Sequence, residues 1–307
     1  MPTADQSVEI QPETAELLAE ICDGIQKATG RRPAPDEVIR SALQALHASE
    51  GIAARQADVV TELLQLGQRL AIDQVALGKP SFTDNEAAND FVIADPFAFP
   101  IAVIFDQGII AERAWAAPYE LRSRLGHLDP RRIAVEAEQV AAAVREPPSL
   151  HRYVEKVPRW VVAASRRVVS EYGGNASRIW SDHPTAGTLQ ARLDAFEGIG
   201  QKKAAMAVEI LDRDLKVPIG GLEGSDIAYD VHVRRVFLRT GLALFDDPIH
   251  MISVARRLNR SRPGAVDFPA WTVGRNWCRA GVPDCQSCPL RQPCPKLVEK
   301  GDVVRTA

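Results

Sequence analysis

The sequence lacks any long apolar run: the longest, from Phe97 to Phe105, is too short to span a bilayer and is interrupted by Pro100. Its first residues are polar and do not read as a secretory signal. Cysteine is scarce, with 5 among 307 residues, and without a secretory context a disulfide framework is not expected. These absences predict a cytoplasmic protein that makes no membrane contact.

The charges are distributed unevenly along the chain. The net charge is -3, but residues 1–90 hold 7 Lys and Arg against 15 Asp and Glu, whereas residues 199–307 hold 17 against 12. A basic C-terminal third permits nucleic-acid binding without establishing it, because many solvated surfaces carry such an excess. The remaining composition, 46% hydrophobic and 25% charged, is that of a globular protein with a buried core.

Four of the five cysteines lie close together near the C-terminus, in the pattern C-x6-C-x2-C-x5-C. They are Cys278, Cys285, Cys288 and Cys294. Four thiolates suit either structural zinc or an iron-sulfur cluster. Zinc sites more often consist of two separated C-x2-C pairs, whereas this segment has one pair, and its prolines keep it out of helix. The spacing therefore favours an iron-sulfur cluster.

The body of the chain reads as all-α, because no sustained alternation of apolar and polar residues demands a sheet. The N-terminal segment reads as a short strand, Ser7 to Gln11, then a helix from Pro12 that Gly30 stops, and a second helix starting near Asp36. This order resembles the ribbon-helix-helix fold, which dimerises through its strand and reads DNA with it. The strand offers acidic and amide side chains rather than basic ones, which favours dimerisation; a plain helical hairpin fits equally well.

A glycine hairpin lies between two predicted helices in the last third of the chain. Gly198 and Gly200 flank Ile199, and a helix beginning near Gln201 follows. Such glycines allow a tight turn without side chains in the way, and the exposed amides at the next helix start can receive a phosphate oxygen. A helix-hairpin-helix grips the DNA backbone in this manner. Taken alone, the pattern is also typical of an ordinary interhelical turn.

Further motifs before and after the hairpin give this chain a resemblance to a known protein family. The segment DVHVRRVFLRTGL from Asp230 to Leu242 follows the hairpin, and the cysteine loop follows that; upstream, the apolar segment from Pro96 ends in Gln107. This order resembles the endonuclease III branch of the helix-hairpin-helix DNA glycosylases over roughly residues 94–296. The resemblance implies a 4Fe-4S cluster on the four cysteines.

The resemblance also implies an architecture and a set of DNA contacts. Residues 94–222 would form a six-helix barrel with the helix-hairpin-helix, residues 53–93 and 223–307 an iron-sulfur cluster domain, and residues 1–50 a ribbon-helix-helix-like extension that could mediate a homodimer. The partner would be double-stranded DNA containing a damaged base or an abasic site, which suggests a location at the nucleoid. The implied DNA-contacting residues are Gln107, Gly198, Gly200, Gln201, Lys203, His232 and Arg234.

Two residues take the positions of the family's catalytic groups. Lys202, two residues after the second hairpin glycine, would be the nucleophile that attacks the sugar C1′. Asp230 would stabilise the positive charge that develops on the sugar when the glycosidic bond breaks. Both residues also have a non-catalytic interpretation: Lys202 could neutralise a phosphate, and Asp230 is well suited to cap the following helix.

The chain departs from the family pattern in several places. Glu197 stands where proline is usual, and Asp106 stands before Gln107 where a small residue is usual, so that it would face the DNA or the lesion pocket. An extra loop spans residues 217–225, and the stretch between Cys278 and Cys285 has Arg279 as its sole base. These changes are compatible with the proposed catalytic chemistry, but they leave open which lesion or form of DNA is the substrate.

Three functions are compatible with these features. The first is a base-excision DNA glycosylase with AP lyase activity that uses Lys202 and Asp230. The second is a monofunctional glycosylase that uses Asp230 and water, with Lys202 holding phosphate. The third is a non-catalytic iron-sulfur DNA-binding or redox-sensing protein. The lesion that is excised does not follow from the sequence.

Overall fold

The computed structural model describes residues 11–76, 79–243 and 245–297. Within these ranges the chain forms thirteen α-helices and two short 3₁₀-helices and contains no β-strand, which confirms the all-α prediction. None of the described helices is long and apolar enough to cross a membrane. The chain divides into two compact units, residues 1–55 and residues 56–307.

The helices follow one another in this order: α1 Pro12–Thr29, α2 Pro35–Ala76, α3 Glu86–Ala94, α4 Ala98–Phe105, α5 Ala111–Leu125, α6 Pro130–Ile133, α7 Ala137–Arg145, α8 Lys156–Tyr172, α9 Ala186–Asp194, α10 Gln201–Arg213, α11 Val231–Arg239, α12 Pro248–Leu258 and α13 Asp267–Asn276. The 3₁₀-helices are Ala176–Ile179 and Pro263–Val266.

In the first unit, the predicted helix from Pro12 is confirmed as α1. Pro12 occupies its first turn, where a missing N–H costs nothing, and Gly30 ends it in the left-handed conformation at φ 78°. Most of the predicted strand, residues 7–10, lies outside the described residues. A ribbon-helix-helix extension and dimerisation through residues 1–50 therefore stay predictions.

The second unit contains two separate hydrophobic cores. The first core is built by α3 to α10 around α4, whose eight residues are all buried. A helix that is apolar on every side has to lie inside a bundle. The helices α3, α5 and α8 pack directly against α4, and α7 and α10 add buried side chains to the same core. The helix α4 is thus a rigid axis, and the residues that follow it, Asp106 and Gln107, are held at its end.

The second core joins part of α2 to α11, α12 and α13. It contains Val59 and Leu63 from α2, Val236 from α11 and Val273 from α13. The backbones of α11 and α13 come close together at Gly274, where an added Cβ would lie 2.7 Å from the carbonyl oxygen of His232. Only glycine permits this approach. The two cores resemble the predicted barrel and cluster domains, whose boundaries stay predictions.

Two further features complete the fold. The second helix, predicted to start near Asp36, is confirmed as α2, which continues without a break to Ala76 because Gly51 alone does not end a helix. The extra loop at residues 217–225 packs against the first core through Val217, Ile219 and Leu222. Its backbone also bonds to the start of α9, through Gly220 to Pro184 and Ala186 to Gly221.

Candidate active site

Two adjoining cavities open between the two cores of the second unit. The less open of the two, named the enclosed cavity, has a volume of about 320 Å³, and the other is an open cleft of about 740 Å³. Several side chains line both and so mark the junction between them. They are Asp106, Ala111, Glu112, Lys202, Asp230, Trp271 and Arg275. The two residues predicted to be catalytic, Lys202 and Asp230, are therefore brought together here.

Lys202 lies in the first turn of α10 and is 35% exposed in its side chain. Its ammonium is 3.7 Å from a carboxylate oxygen of Asp106, which is 14% exposed, and 3.7 Å from the sulfur of Met206 one turn further along α10. The amine is thus accessible from the cleft while its closest charged partner is the unusual aspartate at the end of α4.

The hairpin before α10 has the backbone geometry that the glycine pattern predicts. Gly198 has φ 84°, and a Cβ there would lie 2.7 Å from the indole of Trp160. Gly200 is the N-cap of α10, has φ −111°, and has nothing within 4 Å of an added Cβ. No side chain of the described residues caps α10. The first-turn amides of α10 are therefore available to an anion, as the prediction for DNA phosphate requires.

Lys203, which the sequence suggested as a DNA contact, is 6% exposed. Its ammonium donates hydrogen bonds to the carbonyl of Ile104 in the last turn of α4 at 2.9 Å and to that of Gly198 at 2.8 Å. Burial, opposed by Asp106 and aided by the charge of Lys202, lowers the pKa of Lys203 to about 8. Since its donors are used inside the protein, Lys203 fastens the hairpin to α4 instead of facing DNA in this structure.

Asp230 is the N-cap of α11. Its Oδ1 accepts the amide hydrogens of His232 and Val233, both at 2.8 Å. The side chain of Gln201 donates to the carbonyl of Ile227 at 3.0 Å, which joins the start of α10 to the segment before α11. Two helix N-termini therefore converge on the cleft, one carrying the lysine and one carrying the aspartate.

Aromatic rings form much of the wall of the enclosed cavity. Phe82 stacks on Trp115 with ring centroids 4.5 Å apart, and Phe268 stacks on Trp271 at 6.2 Å. All four rings line the cavity. Flat apolar faces of this kind suit a planar heteroaromatic guest.

Two buried carboxyl groups also line the enclosed cavity. Asp267 accepts the amide hydrogen of Ala228 at 2.7 Å, and burial raises its pKa to about 8, with Asp230 and Glu209 acting in the same direction. Glu209 is 3% exposed and pairs with Arg262 through one oxygen at 2.8 Å, while its other oxygen has no partner among the described residues. The raised pKa of Asp267 favours its protonated form, which can donate a hydrogen bond into the cavity, and the second oxygen of Glu209 is placed to accept one.

Three further residues were predicted to contact DNA, and two of them, Gln107 and His232, line the cleft. Gln107 is exposed, and its backbone carbonyl accepts a hydrogen bond of 2.9 Å from the ring of the buried His151. His232 is half-buried and lies 3.2 Å from the guanidinium of Arg235. Arg234 forms an ion pair with Asp246. Gln107 is thus presented to solvent, whereas the charge of Arg234 is neutralised in place.

The four C-terminal cysteines line one small cavity of about 30 Å³ and are half-buried. Within the described ranges, no three His, Cys, Asp or Glu residues are grouped as the ligands of a single metal ion. The donor set nevertheless fits a group larger than one ion, because all four thiols face the same cavity and the amide of Lys296 points at the sulfur of Cys294 at 3.4 Å.

Arg239, in the last turn of α11, organises the cysteine loop. It is 3% exposed and donates to the carbonyl of Arg279 at 2.7 Å, while its own carbonyl accepts from Leu297 at 2.9 Å. Its guanidinium also lies 3.7 Å from the sulfur of Cys278. Arg239, in the second half of the segment from Asp230 to Leu242, therefore has a structural role.

Four contributors to the site escaped the sequence patterns. Asp106 was recognised as a departure, but its pairing with Lys202 was not; His151, Glu209 and Asp267 carried no signal. His151 holds the backbone of Gln107, and the other two line the cavity. His151, Glu209 and Asp267 belong to no motif, because each reaches the site through tertiary packing of distant segments.

Comparison with solved structures identifies related folds. A trapped covalent endonuclease III–DNA intermediate, an estranged-adenine complex, matches at TM-score 0.51 and 20% identity over 74% of this chain and 94% of that chain. A non-covalent endonuclease III–DNA complex matches at 0.51 and 19% over 76% and 95%, and a thermostable thymine-DNA glycosylase at 0.54 and 13% over 80% and 97%. No protein-family model and no curated protein sequence matches the chain. The predicted resemblance is confirmed at the level of the fold.

Proposed function

We propose that this chain is a base-excision DNA glycosylase with AP lyase activity, acting on double-stranded DNA that contains a damaged base or an abasic site. The observation that carries the proposal is the convergence of Lys202 and Asp230 at the junction of the enclosed cavity and the open cleft. The cavity, walled by aromatic rings, suits a base turned out of the helix, and the cleft suits the DNA strand. The likeness to endonuclease III–DNA complexes supports DNA as the partner.

The proposed chemistry assigns one role to each residue. Departure of the base leaves positive charge on the sugar, which the carboxylate of Asp230 stabilises. The neutral amine of Lys202 attacks the sugar C1′. The C1′–O4′ bond then breaks, O4′ takes up a proton lost from the nitrogen, and a Schiff base joins Lys202 to C1′. Loss of a C2′ proton then expels the 3′ phosphate, with the electron pair of the C–H bond forming the C2′–C3′ double bond. The uncapped amides of α10 and the exposed Gln107 would hold the strand and fill the gap left by the base.

We also propose that Cys278, Cys285, Cys288 and Cys294 hold a 4Fe-4S cluster. Cysteines that each bind a different iron stand further apart than ligands of one ion, which agrees with four thiols that line one cavity without forming a single-ion site among the described residues. The cluster would hold the loop after α13 in place, and no step of the reaction needs it. Arg235 and Arg239 tie this loop to α11, whose first turn carries Asp230.

Borohydride trapping on an abasic-site duplex tests the proposal. Wild-type protein is expected to give a covalent adduct, and Lys202→Ala is expected to lose it, because the attacking amine is gone. Lys156→Ala is the matched control, since this exposed lysine lies at the start of α8 outside both cavities. It should trap DNA as the wild type does.

A lesion panel separates the remaining functions. Base release that survives Lys202→Ala and disappears in Asp230→Asn would replace the lyase by a monofunctional glycosylase that uses water. Absence of both an adduct and base release with every substrate would leave a non-catalytic DNA-binding protein. The panel also identifies the excised base.

A further inference from the structure

The cleft contains a carboxylate, Asp106, that has no role in the proposed mechanism. Asp106 ends α4, and its backbone N–H bonds to the carbonyls of Ala102 and Val103, so that it is fixed to a fully buried helix. It lines both cavities and is mostly buried in its side chain. A group held on a rigid element at the junction of two cavities is positioned for chemistry rather than for solubility.

Among the described residues, Asp106 is also the carboxylate in ion-pair contact with Lys202, at 3.7 Å. Asp230 differs in this respect. Its Oδ1 already accepts two amide hydrogens from the first turn of α11, and no ion pair joins it to Lys202 within the described ranges. The two aspartates therefore meet different partners, one a helix N-terminus and the other the amine.

We infer that Asp106 is a catalytic proton shuttle for Lys202, while Asp230 serves the sugar. This inference rests on the proposed lyase function. It assigns a role to Asp106, which stands where the family resemblance leads one to expect a small residue. The charged groups around Asp106 are Lys202 and Lys203 from α10, Asp230 from α11, Glu112 from α5 and Arg275 from α13. Arg275 is paired with Glu112 at 3.1 Å, and Lys203 with carbonyls, which leaves Lys202 as the proton donor beside Asp106.

The proton balance can be followed on the aldehyde form of an abasic site. The Lys202 ammonium transfers one proton to Asp106, and the freed lone pair forms the bond to C1′ while the carbonyl π pair moves to oxygen. A proton passes from nitrogen to that oxygen to give a neutral carbinolamine. Asp106 returns its proton to the hydroxyl group, water leaves, and the protonated Schiff base and the carboxylate remain. One carboxylate thus serves first as base and then as acid.

Single-turnover borohydride trapping with saturating enzyme tests this role. Asp106→Asn, which keeps the size of the side chain, is expected to slow adduct formation by roughly 100-fold at neutral pH, the lower end of the range for general acid-base catalysis. The deficit should shrink as the pH rises, because a larger share of the lysine is then deprotonated without help. Asp106→Ala should recover part of its rate when formate is added, since formate can occupy the vacated space and accept the proton.

Two controls separate proton transfer from loss of charge and from loss of structure. Asp194→Asn removes one negative charge from an exposed aspartate at the end of α9, outside both cavities, and should trap DNA within about two-fold of wild type, which is the ordinary effect of a surface change. Asp106→Asn should bind a tetrahydrofuran abasic analogue at least as tightly as wild type does.

The outcomes are distinct. Trapping by Asp106→Asn at the wild-type rate over the whole pH range overturns the inference, and so does a slow rate that neither pH nor formate improves, which would indicate a structural role. Failure of the wild type to trap any abasic duplex would instead overturn the proposed lyase itself.

Discussion

Asp267 illustrates how a single buried group links the site to stability. Its carboxyl lines the enclosed cavity, and burial raises its pKa to about 8. Asp and Glu ordinarily ionise near pH 4 in an unfolded chain. Between about pH 4 and pH 8 the unfolded state has therefore lost a proton that the folded state keeps, so Asp267 makes stability fall as the pH rises.

We predict that Asp267→Asn flattens this dependence. The slope that Asp267 contributes is up to about 1.4 kcal/mol per pH unit in this window, and asparagine removes it while its side-chain oxygen still accepts from Ala228. Urea unfolding at pH 5, 6, 7 and 8 measures the free energy of unfolding for both proteins. Asp194→Asn, on the surface, should run parallel to wild type; parallel curves for Asp267→Asn as well would contradict the prediction.

At the scale of elements, the hairpin and α4 are locked to each other. The glycine pattern predicted the turn, and its two glycines have different tasks: Gly198 takes a left-handed conformation against the ring of Trp160, whereas Gly200 faces open space. Lys203 then ties the turn to the last turn of α4, where a positive charge also suits the helix dipole. This lock sets the position of Lys202 relative to Asp106.

The two glycines provide a matched pair of variants. Gly198→Ala is expected to lower the free energy of unfolding by roughly 2–4 kcal/mol, from the left-handed backbone and the clash with Trp160. Gly200→Ala has room for its methyl group and loses only the N-cap preference of glycine, about 1 kcal/mol or less. Urea unfolding of both variants measures the difference, and equal losses would show that Trp160 does not enforce the turn.

At the scale of the whole molecule, the second core depends on the segment that follows α13. Arg235 and Arg239 reach from α11 to the carbonyls of Cys278 and Arg279. Cys278, Cys288 and Cys294 pack against this core. If the proposed cluster is present, its binding energy contributes directly to folding of this region.

Cys288→Ser tests that contribution. We expect purified wild-type protein to contain iron and inorganic sulfide in equal amounts, and the variant to lose both, to melt at a lower temperature and to be cut by protease between Cys278 and Cys294. Cys22→Ser is the control, because this cysteine lies in the first unit, and it should retain the iron. Stoichiometric zinc in place of iron would overturn the cluster assignment.

The sequence by itself determined the elements whose signals are local. Conformational preferences and hydrogen bonds within a few residues explain the stop at Gly30, the hairpin at Gly198 and Gly200 and the cap at Asp230. The order of these signals and of the cysteine loop was enough to predict the fold. Local signals do not determine where every helix ends: α2 continues from Pro35 to Ala76 because a long helix tolerates a single glycine.

Only the tertiary structure decided which side chains share the cleft and in what state. The pairing of Asp106 with Lys202, the burial of Lys203 and the raised pKa of Asp267 arise where distant helices pack together. Desolvation and charge pairing depend on that packing and not on neighbours along the chain. The sequence therefore pointed to the lysine and one aspartate, and the fold supplied the second aspartate.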